Sequence, residues 1–266
     1  MLSRVIAIAN QKGGVGKTTT AINLSASLAA AEARVLLVDL DPQGNATSGM
    51  GLDKAGLERS VYHVLAQGAD SAAIVRKTEF EGLDILPANR DLTGATIEML
   101  ELSRREFRLR EALAQLRPRY DFILIDCPPS LGILTVNALA AADALLIPIQ
   151  CEYFALEGLS DLLGTVARVR QTFHPALQIE GVLLTMHDDR LNLSGQIEQN
   201  VRAHLGDRVF SARIPRNVRL AEAPSFGKPI LMYDPRSRGA DAYLQLAQEI
   251  LRKSTAPEAR EAAGGV

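Results

Sequence analysis

Short apolar runs alternate along the chain with longer stretches whose apolar positions recur every three to four residues. The runs Arg4–Ala9, Arg34–Asp39, Leu83–Leu86, Phe122–Asp126, Ala144–Ile149 and Glu180–Thr185 are β-branched or Leu-rich, with apolar residues at consecutive positions. That pattern fits parallel strands covered on both faces better than strands with one wet side. The stretches Lys17–Ala31, Leu92–Leu116, Leu156–Thr172, Leu193–His204 and Ala240–Leu251 carry the helical period. Strand then helix, repeated, predicts right-handed βαβ units: an α/β fold with a doubly wound, mostly parallel sheet and helices on both faces. There is no internal repeat and no linker-like segment, so residues 1–252 are expected to form a single domain. The segment 253–266 is poor in large apolar residues and is expected to be a disordered tail.

Composition narrows the class without fixing the function. Of the 266 residues, 47% are hydrophobic and 23% charged, as in an ordinary globular protein with a sizeable core. A formal net charge of −2 argues against a surface that coats nucleic acid all over, but permits a local basic patch. Cys127 and Cys151 have no partner at metal-ligand spacing, which predicts a reduced, cytoplasmic setting and two small core residues. His63, His174, His187 and His204 are scattered, with no acid or thiol at triad spacing, and are given no catalytic role. No apolar run approaches the roughly 20 residues that span a bilayer, and the start of the chain shows no leader pattern.

The chemistry is concentrated where Arg4–Ala9 runs into Asn10-Gln11-Lys12-Gly13-Gly14-Val15-Gly16-Lys17-Thr18-Thr19 and then a helix. A loop at a helix N-terminus offers unpaired N–H groups and the positive end of the helix dipole to a phosphate. Gly13, Gly14 and Gly16 let the backbone curl close to the oxygens, Lys17 can reach the β- and γ-phosphates, and the Thr18 hydroxyl can ligate Mg²⁺. This is a P-loop of the P-loop NTPase class for ATP and Mg²⁺, with one departure: Gln11 stands where the standard pattern has its first glycine, and an added Lys12 precedes the glycine pair. Asp126 ends a strand, on the rim where doubly wound sheets bind ligands, as a Walker-B aspartate does to hold Mg²⁺. Asp39 and Asp41 close another strand on the same rim. No arginine stands in these loops to meet charge on the γ-phosphate, which leaves Lys12 as the candidate.

Lys-Gly-Gly-Val-Gly-Lys-Thr-Thr resembles the deviant phosphate loop of the ParA/MinD group of P-loop ATPases. Asp39-Leu40-Asp41-Pro42-Gln43-Gly44-Asn45, Ile125-Asp126-Cys127-Pro128-Pro129 and Ile214-Pro215-Arg216-Asn217-Val218-Arg219-Leu220-Ala221-Glu222-Ala223-Pro224 sharpen the likeness to its ParA branch, the chromosome- and plasmid-partitioning ATPases. Chromosomal members that work beside a ParB partner are the most similar, since no further domain precedes the loop.

The resemblance implies an ATP-dependent homodimer that binds nonspecific double-stranded DNA, associates with the nucleoid, and is released by slow ATP hydrolysis stimulated by a ParB-like partner. Residue by residue, it implies that Lys12 reaches the partner subunit's nucleotide and that Asp41 orients the attacking water. Lys12, Lys17 and Asp41 are then the catalytic candidates. Asp39 stands near the metal shell with Thr18 and Asp126, and Thr19 completes the loop. Pro215 and Asn217 lie against the adenine.

Arg213, Arg216, Arg219, Lys228, Arg236 and Arg238 stand against only Glu222 and Asp234 between residues 213 and 238, a local excess of positive charge suited to phosphate backbones. With Trp absent and aromatics sparse there, the pattern points to duplex binding without base stacking. By resemblance Arg190 and Arg219 are DNA contacts. Arg216 is added on the expectation that a helical turn places it on one face with Arg219. A MinD-like membrane switch needs an amphipathic C-terminal helix, which the tail lacks. An iron–sulfur electron donor needs cysteines in other contexts. Glu152 and Glu157 fit either a dimer face or a helix cap.

Overall fold

The computed structural model describes residues 3–152 and 155–255, the side chains of 155–157 and 255 excepted. The strands are β1 (Arg4–Ile8), β2 (Val35–Asp39), β3 (Arg76–Lys77), β4 (Leu83–Leu86), β5 (Phe122–Asp126), β6 (Ala144–Gln150), β7 (Gln178–His187) and β8 (Val209–Pro215). They form a single sheet in the order β3-β4-β2-β5-β1-β6-β7-β8. All neighbours are parallel except the short β3, which runs antiparallel to β4. The helices are α1 (Lys17–Ala30), α2 (Asn45–Gly49), α3 (Val61–Gln67), α4 (Ser71–Ile74), α5 (Leu92–Glu98) and α6 (Arg108–Ala114), followed by α7 (Ile133–Ala141), α8 (Ala155–Thr172), α9 (Asn192–Leu205), α10 (Val218–Glu222), α11 (Ile230–Tyr233) and α12 (Arg238–Thr255).

The alternation of side chains along each strand divides the core in two. Val5 and Ala7 of β1 join one cluster with residues of α3, α5, α6, α7, α8 and α9. Ile6 and Ile8 join the other with residues of α1, α10, α11 and α12. Both clusters are dry, which is why the central strands are apolar at every position. The carboxyl ends of β1, β2, β5 and β6 therefore open on one rim, the place where such sheets hold ligands.

Four expectations need correction. The stretch Leu92–Leu116 is not one helix: it breaks into α5, 3₁₀ turns at Met99–Glu101 and Arg105–Phe107, and α6. Leu102 is extended and Arg104 is left-handed at φ 53°. Asn137 of α7 makes the break tolerable by accepting from the Leu109 N–H and donating to the Arg105 carbonyl, 3.0 and 2.8 Å away. Among the elements that were not predicted are α7 and β8. Edge strand β8 alternates, with Ser211 and Arg213 facing out, so it lacks the unbroken apolar run of the inner strands.

The C-terminal helix is also longer than expected. Its last turn stays helical because Lys253 Nζ donates to the Glu180 carbonyl and Arg4 donates to Ser254 Oγ. The rest of the expected tail, 256–266, lies outside the described residues. Among the described residues no helix is long and apolar enough to cross a membrane.

Candidate nucleotide site and the arginine face

The loop after β1 is pinned at its start by Asn10. Its amide donates to the Pro148 carbonyl of β6 at 2.7 Å, and its oxygen accepts the Lys12 N–H at 2.9 Å. Gly14 and Gly16 are left-handed at φ 76° and 86°, and a Cβ at Gly13 or Gly14 would meet nothing within 4 Å. The loop backbone therefore borders open space. Gly16 is the N-cap of α1 and no side chain caps the helix, so its first N–H groups are left for an anion. From behind, the Thr185 hydroxyl of β7 lies 2.9 Å from the Val15 carbonyl and 3.0 Å from that of Ile149, turning the loop carbonyl into the protein. Lys17, the first residue of α1, is buried and donates to the Lys12 carbonyl at 2.9 Å. Burial is the main cause that lowers its pKa, opposed by nearby Asp126.

Asp126 and Asp39 end β5 and β2 in register. Both are fully buried, and neither oxygen of Asp126 has a hydrogen-bond partner. Burial, then the charge of Asp39, pushes its pKa well above the usual carboxylate range, with Thr18 and Lys17 opposing. Asp39 is treated differently. Its Oδ2 accepts from the Thr47 N–H and hydroxyl at 2.8 and 2.7 Å, and its Oδ1 accepts the Asp41 N–H at 3.2 Å. Burial nonetheless raises its pKa to about 6. Asp39, expected near the metal shell, thus has its oxygens engaged in holding Asp41 and α2. Asp41 is buried at the rim, where its Oδ1 accepts the Gln43 N–H at 2.9 Å.

Among the described residues no group of three or more His, Cys, Asp or Glu side chains could cage a metal by itself. One unpartnered carboxylate and one threonine hydroxyl, beside a glycine cradle, instead suit Mg²⁺, which keeps waters and shares phosphate oxygens. The residues present fit a Mg²⁺–nucleotide group.

Lys12 Nζ lies 2.8 Å from Glu152, both side chains being about half exposed. Glu152 therefore pairs with Lys12 in the single chain; the Glu157 side chain lies outside the described ones.

The basic run is less basic in space than in sequence. Arg190 is clamped by Asp188 at 2.7 and 2.9 Å, and Arg219 by Glu222 at 3.0 Å with Asp234 at 3.5 Å. Arg213 meets Glu198 at 3.1 Å, and Arg238 meets Asp189 at 3.6 Å. Arg216 helps to hold the Asp188 carboxyl below its ordinary pKa, after the larger effect of Arg190. Asp188, Asp189 and Glu198 come from the end of β7 and from α9, so the charge excess counted along 213–238 is matched by acids from elsewhere. Nor do Arg216 and Arg219 share a helical turn: α10 begins after its N-cap Asn217, and the Arg216 N–H bonds the His187 carbonyl at the end of the sheet. Asn217 spends its side-chain oxygen on the Arg219 N–H at 2.8 Å, and Pro215 closes β8, three strands from β1.

Asn10, Thr47 and Thr185 were not legible as site residues. A buried polar side chain next to a phosphate loop is the only signal, and it appears only once the strands are placed. Cys127 and Cys151 are buried core residues; burial pushes both thiols up, Cys151 to about 12.

A protein family described as an AAA domain matches residues 3–179. The sporulation initiation inhibitor protein Soj of Bacillus subtilis is 57% identical over 249 residues, covering 94% of this chain and 98% of its own. The chromosome-partitioning ATPase Soj of Thermus thermophilus is 54% identical over 250 residues, covering 94% of this chain and 96% of its own. Among solved structures, cobyrinic acid a,c-diamide synthase from Mycobacterium smegmatis, with bound ATP analogue and magnesium, superposes at TM-score 0.85. It is 39% identical, and the match covers 96% of this chain and 97% of that one.

Proposed function

The chain belongs to the Soj/ParA family of chromosome-partitioning ATPases, and we propose that it is an ATP-driven switch between a monomer and a DNA-holding homodimer. The observation that carries the nucleotide half is Asp126, a buried carboxylate with no hydrogen-bond partner beside an open glycine loop. Such a group is costly unless a cation completes it.

Bound Mg²⁺ supplies positive charge to the β- and γ-phosphates of ATP. The residues do the rest. The loop N–H groups between Gly13 and Thr19 cradle the phosphates, Thr18 and Asp126 face the metal, and Lys17 exchanges the Lys12 carbonyl for phosphate oxygens. Asp41, fixed through its own N–H by Asp39, orients the water that attacks the γ-phosphorus. Lys12 leaves Glu152 and reaches the partner subunit's nucleotide, stabilising the dimer while a γ-phosphate is present and the charge that develops during cleavage. Pro215 and Asn217 border the adenine. Arg190, Arg216 and Arg219 contact phosphates of nonspecific duplex DNA, placing the protein on the nucleoid. Slow hydrolysis, accelerated by a ParB-like centromere-binding protein, returns the monomer.

The test is duplex binding with Mg-ATP, Mg-ADP, ATP with chelator, and no nucleotide, alongside molecular mass in solution. Dimer formation and DNA binding are expected with Mg-ATP alone. Equal DNA binding in all four conditions overturns the switch.

A further inference from the structure

Three nitrogen-bearing side chains converge on one exposed carboxylate at the end of β7. Asp189 lies 3.3 Å from His187 Nδ1, 3.6 Å from Arg238 and 3.9 Å from Arg213, and is 67% exposed. The two arginines come from β8 and α12, so the carboxylate bridges separate elements. The contacts are long, unlike the 2.7 Å clamp of Arg190 on its neighbour Asp188. An exposed pair at such distances contributes little binding energy.

The surroundings are open and polar. Two open clefts, of about 410 and 400 Å³, meet at His187, Asp189 and Arg213. Ser211 and Gln245 line one, Gln196 and Gln199 the other. The His187 side chain is only 6% exposed, and its Nε2 has no hydrogen-bond partner, with Glu198 standing 3.3 Å away. Arg213 lies closer to Glu198, at 3.1 Å, so His187 and Arg238 are the nearer partners of the Asp189 carboxylate.

We propose that Asp189 is an internal counterion occupying a phosphate subsite made chiefly by Arg238 and His187, beside Arg213 that stays paired with Glu198 at 3.1 Å, and that a phosphate of duplex DNA enters it by displacing the Asp189 carboxylate. The inference rests on the DNA reading above and adds residues to it. It also changes what salt should do. Binding through free arginines releases cations condensed on DNA, one for each phosphate neutralised. Where an arginine already has its own carboxylate, the displaced acid keeps a cation near it, and the net release is smaller. The face should therefore bind more weakly, and with a shallower salt dependence, than its arginines alone would give.

The experiment is Mg-ATP-dependent binding of the full chain to a random-sequence duplex over a salt series, for the wild type, Asp189→Asn, Arg238→Gln and the double variant. Asp189→Asn should bind roughly two- to fivefold tighter at moderate salt. Its slope of log affinity against log salt should be steeper by about one unit. Arg238→Gln should weaken binding, and the double variant should lose most of the gain made by Asp189→Asn. If the wild type binds DNA and Asp189→Asn matches it in affinity and slope, the subsite is overturned while the DNA reading stands. If the wild type binds anionic phospholipid vesicles and no duplex, both fall. A gain from Asp189→Asn that survives intact in the double variant also overturns the subsite, because the carboxylate would then act only by general repulsion.

Discussion

Asp39 and Asp126 stand side by side at the ends of adjacent parallel strands, two carboxylates in one fully buried patch. Only the first is hydrogen-bonded by the protein. Their raised pKa values set the sign of a pH effect. A carboxyl whose folded pKa lies above its unfolded value contributes stability that is present at low pH and lost as pH rises through the folded pKa. For Asp39 that window runs from about 4, its ordinary value, to about 6, and Asp126 extends it upward.

Removing the unpartnered member should therefore stabilise the nucleotide-free protein. Asp126→Asn is expected to raise the apo melting temperature at pH 7.5, by on the order of 1–3 kcal/mol of stability. It should also flatten the fall in stability between pH 5 and pH 7. On the proposed reading Mg²⁺ would compete with protons for this carboxylate, so the gain in nucleotide affinity from Mg²⁺ should grow with pH. In Asp126→Asn that gain should vanish. A lower melting temperature in the variant at pH 7.5 would mean that the buried charge is compensated in a way the geometry does not show.

Gly13→Val separates folding from association. A Cβ there meets nothing within 4 Å and Gly13 is not left-handed, so the single chain has room for the branched side chain. The obstruction arises only when a second subunit approaches beside Lys12. Nucleotide affinity should stay within about threefold of wild type, since the loop N–H groups are kept, while ATP-dependent dimerisation is lost. Normal dimerisation by light scattering would sink the sandwich arrangement.

Glu152→Gln tests the pair that holds Lys12 in the single chain. Both partners are about half exposed, so the attraction is modest and the change should be too. Freed from Glu152, Lys12 should favour association in Mg-ATP by up to about fivefold. A weaker dimer would place Glu152 on the interface itself and not in a hold on the monomer.

What the sequence made legible was what local patterning controls. The inner strands, the phosphate loop and Asp126 follow from apolar runs and glycine spacing, and β4 and β5 have the expected bounds. Longer-range facts were not available. The break after Glu98 depends on Asn137, a residue of α7 that caps the next helix from outside. The run 213–238 looked positive because Asp189 and Glu198, which lie ahead of it in the chain, meet Arg213 and Arg238 only in the folded chain, where β7 pairs with β8. The same pairing places the Arg216 N–H on His187, so α10 starts at Val218, two residues after the arginine meant to share its face.

Asp41→Ala is expected to keep Mg-ATP and lose turnover. Among the described residues its carboxylate accepts one hydrogen bond, from the Gln43 N–H, so truncation leaves Asp39, Thr47 and the Asp41 N–H in place. Loss of a water-orienting group costs about 10²-fold or more in rate. The dimer should then persist on DNA for correspondingly longer. Turnover and dimer lifetime, measured on one preparation, decide it: unchanged hydrolysis removes Asp41 from the mechanism.

Arg219→Ala is the direct test of the arginine face. The guanidinium is 55% exposed and shared between Glu222 at 3.0 Å and Asp234 at 3.5 Å. Truncation therefore removes one cation from beside two carboxylates, of which Glu222 keeps the Tyr233 hydroxyl as a partner. The lost cation and the carboxylates left behind both oppose a phosphate, so affinity for every duplex sequence should fall by about the same factor, roughly 10-fold at moderate salt. The salt slope should become shallower by up to one unit, since part of the arginine's charge was already matched. ATP binding should be unaffected, because the phosphate loop contributes nothing to these pairs. A loss confined to one sequence would mean base readout, which a face with no tryptophan and few aromatics is poorly equipped for. Unchanged affinity would leave Arg219 as a partner for Glu222 and Asp234 within the C-terminal region, with no part in holding DNA.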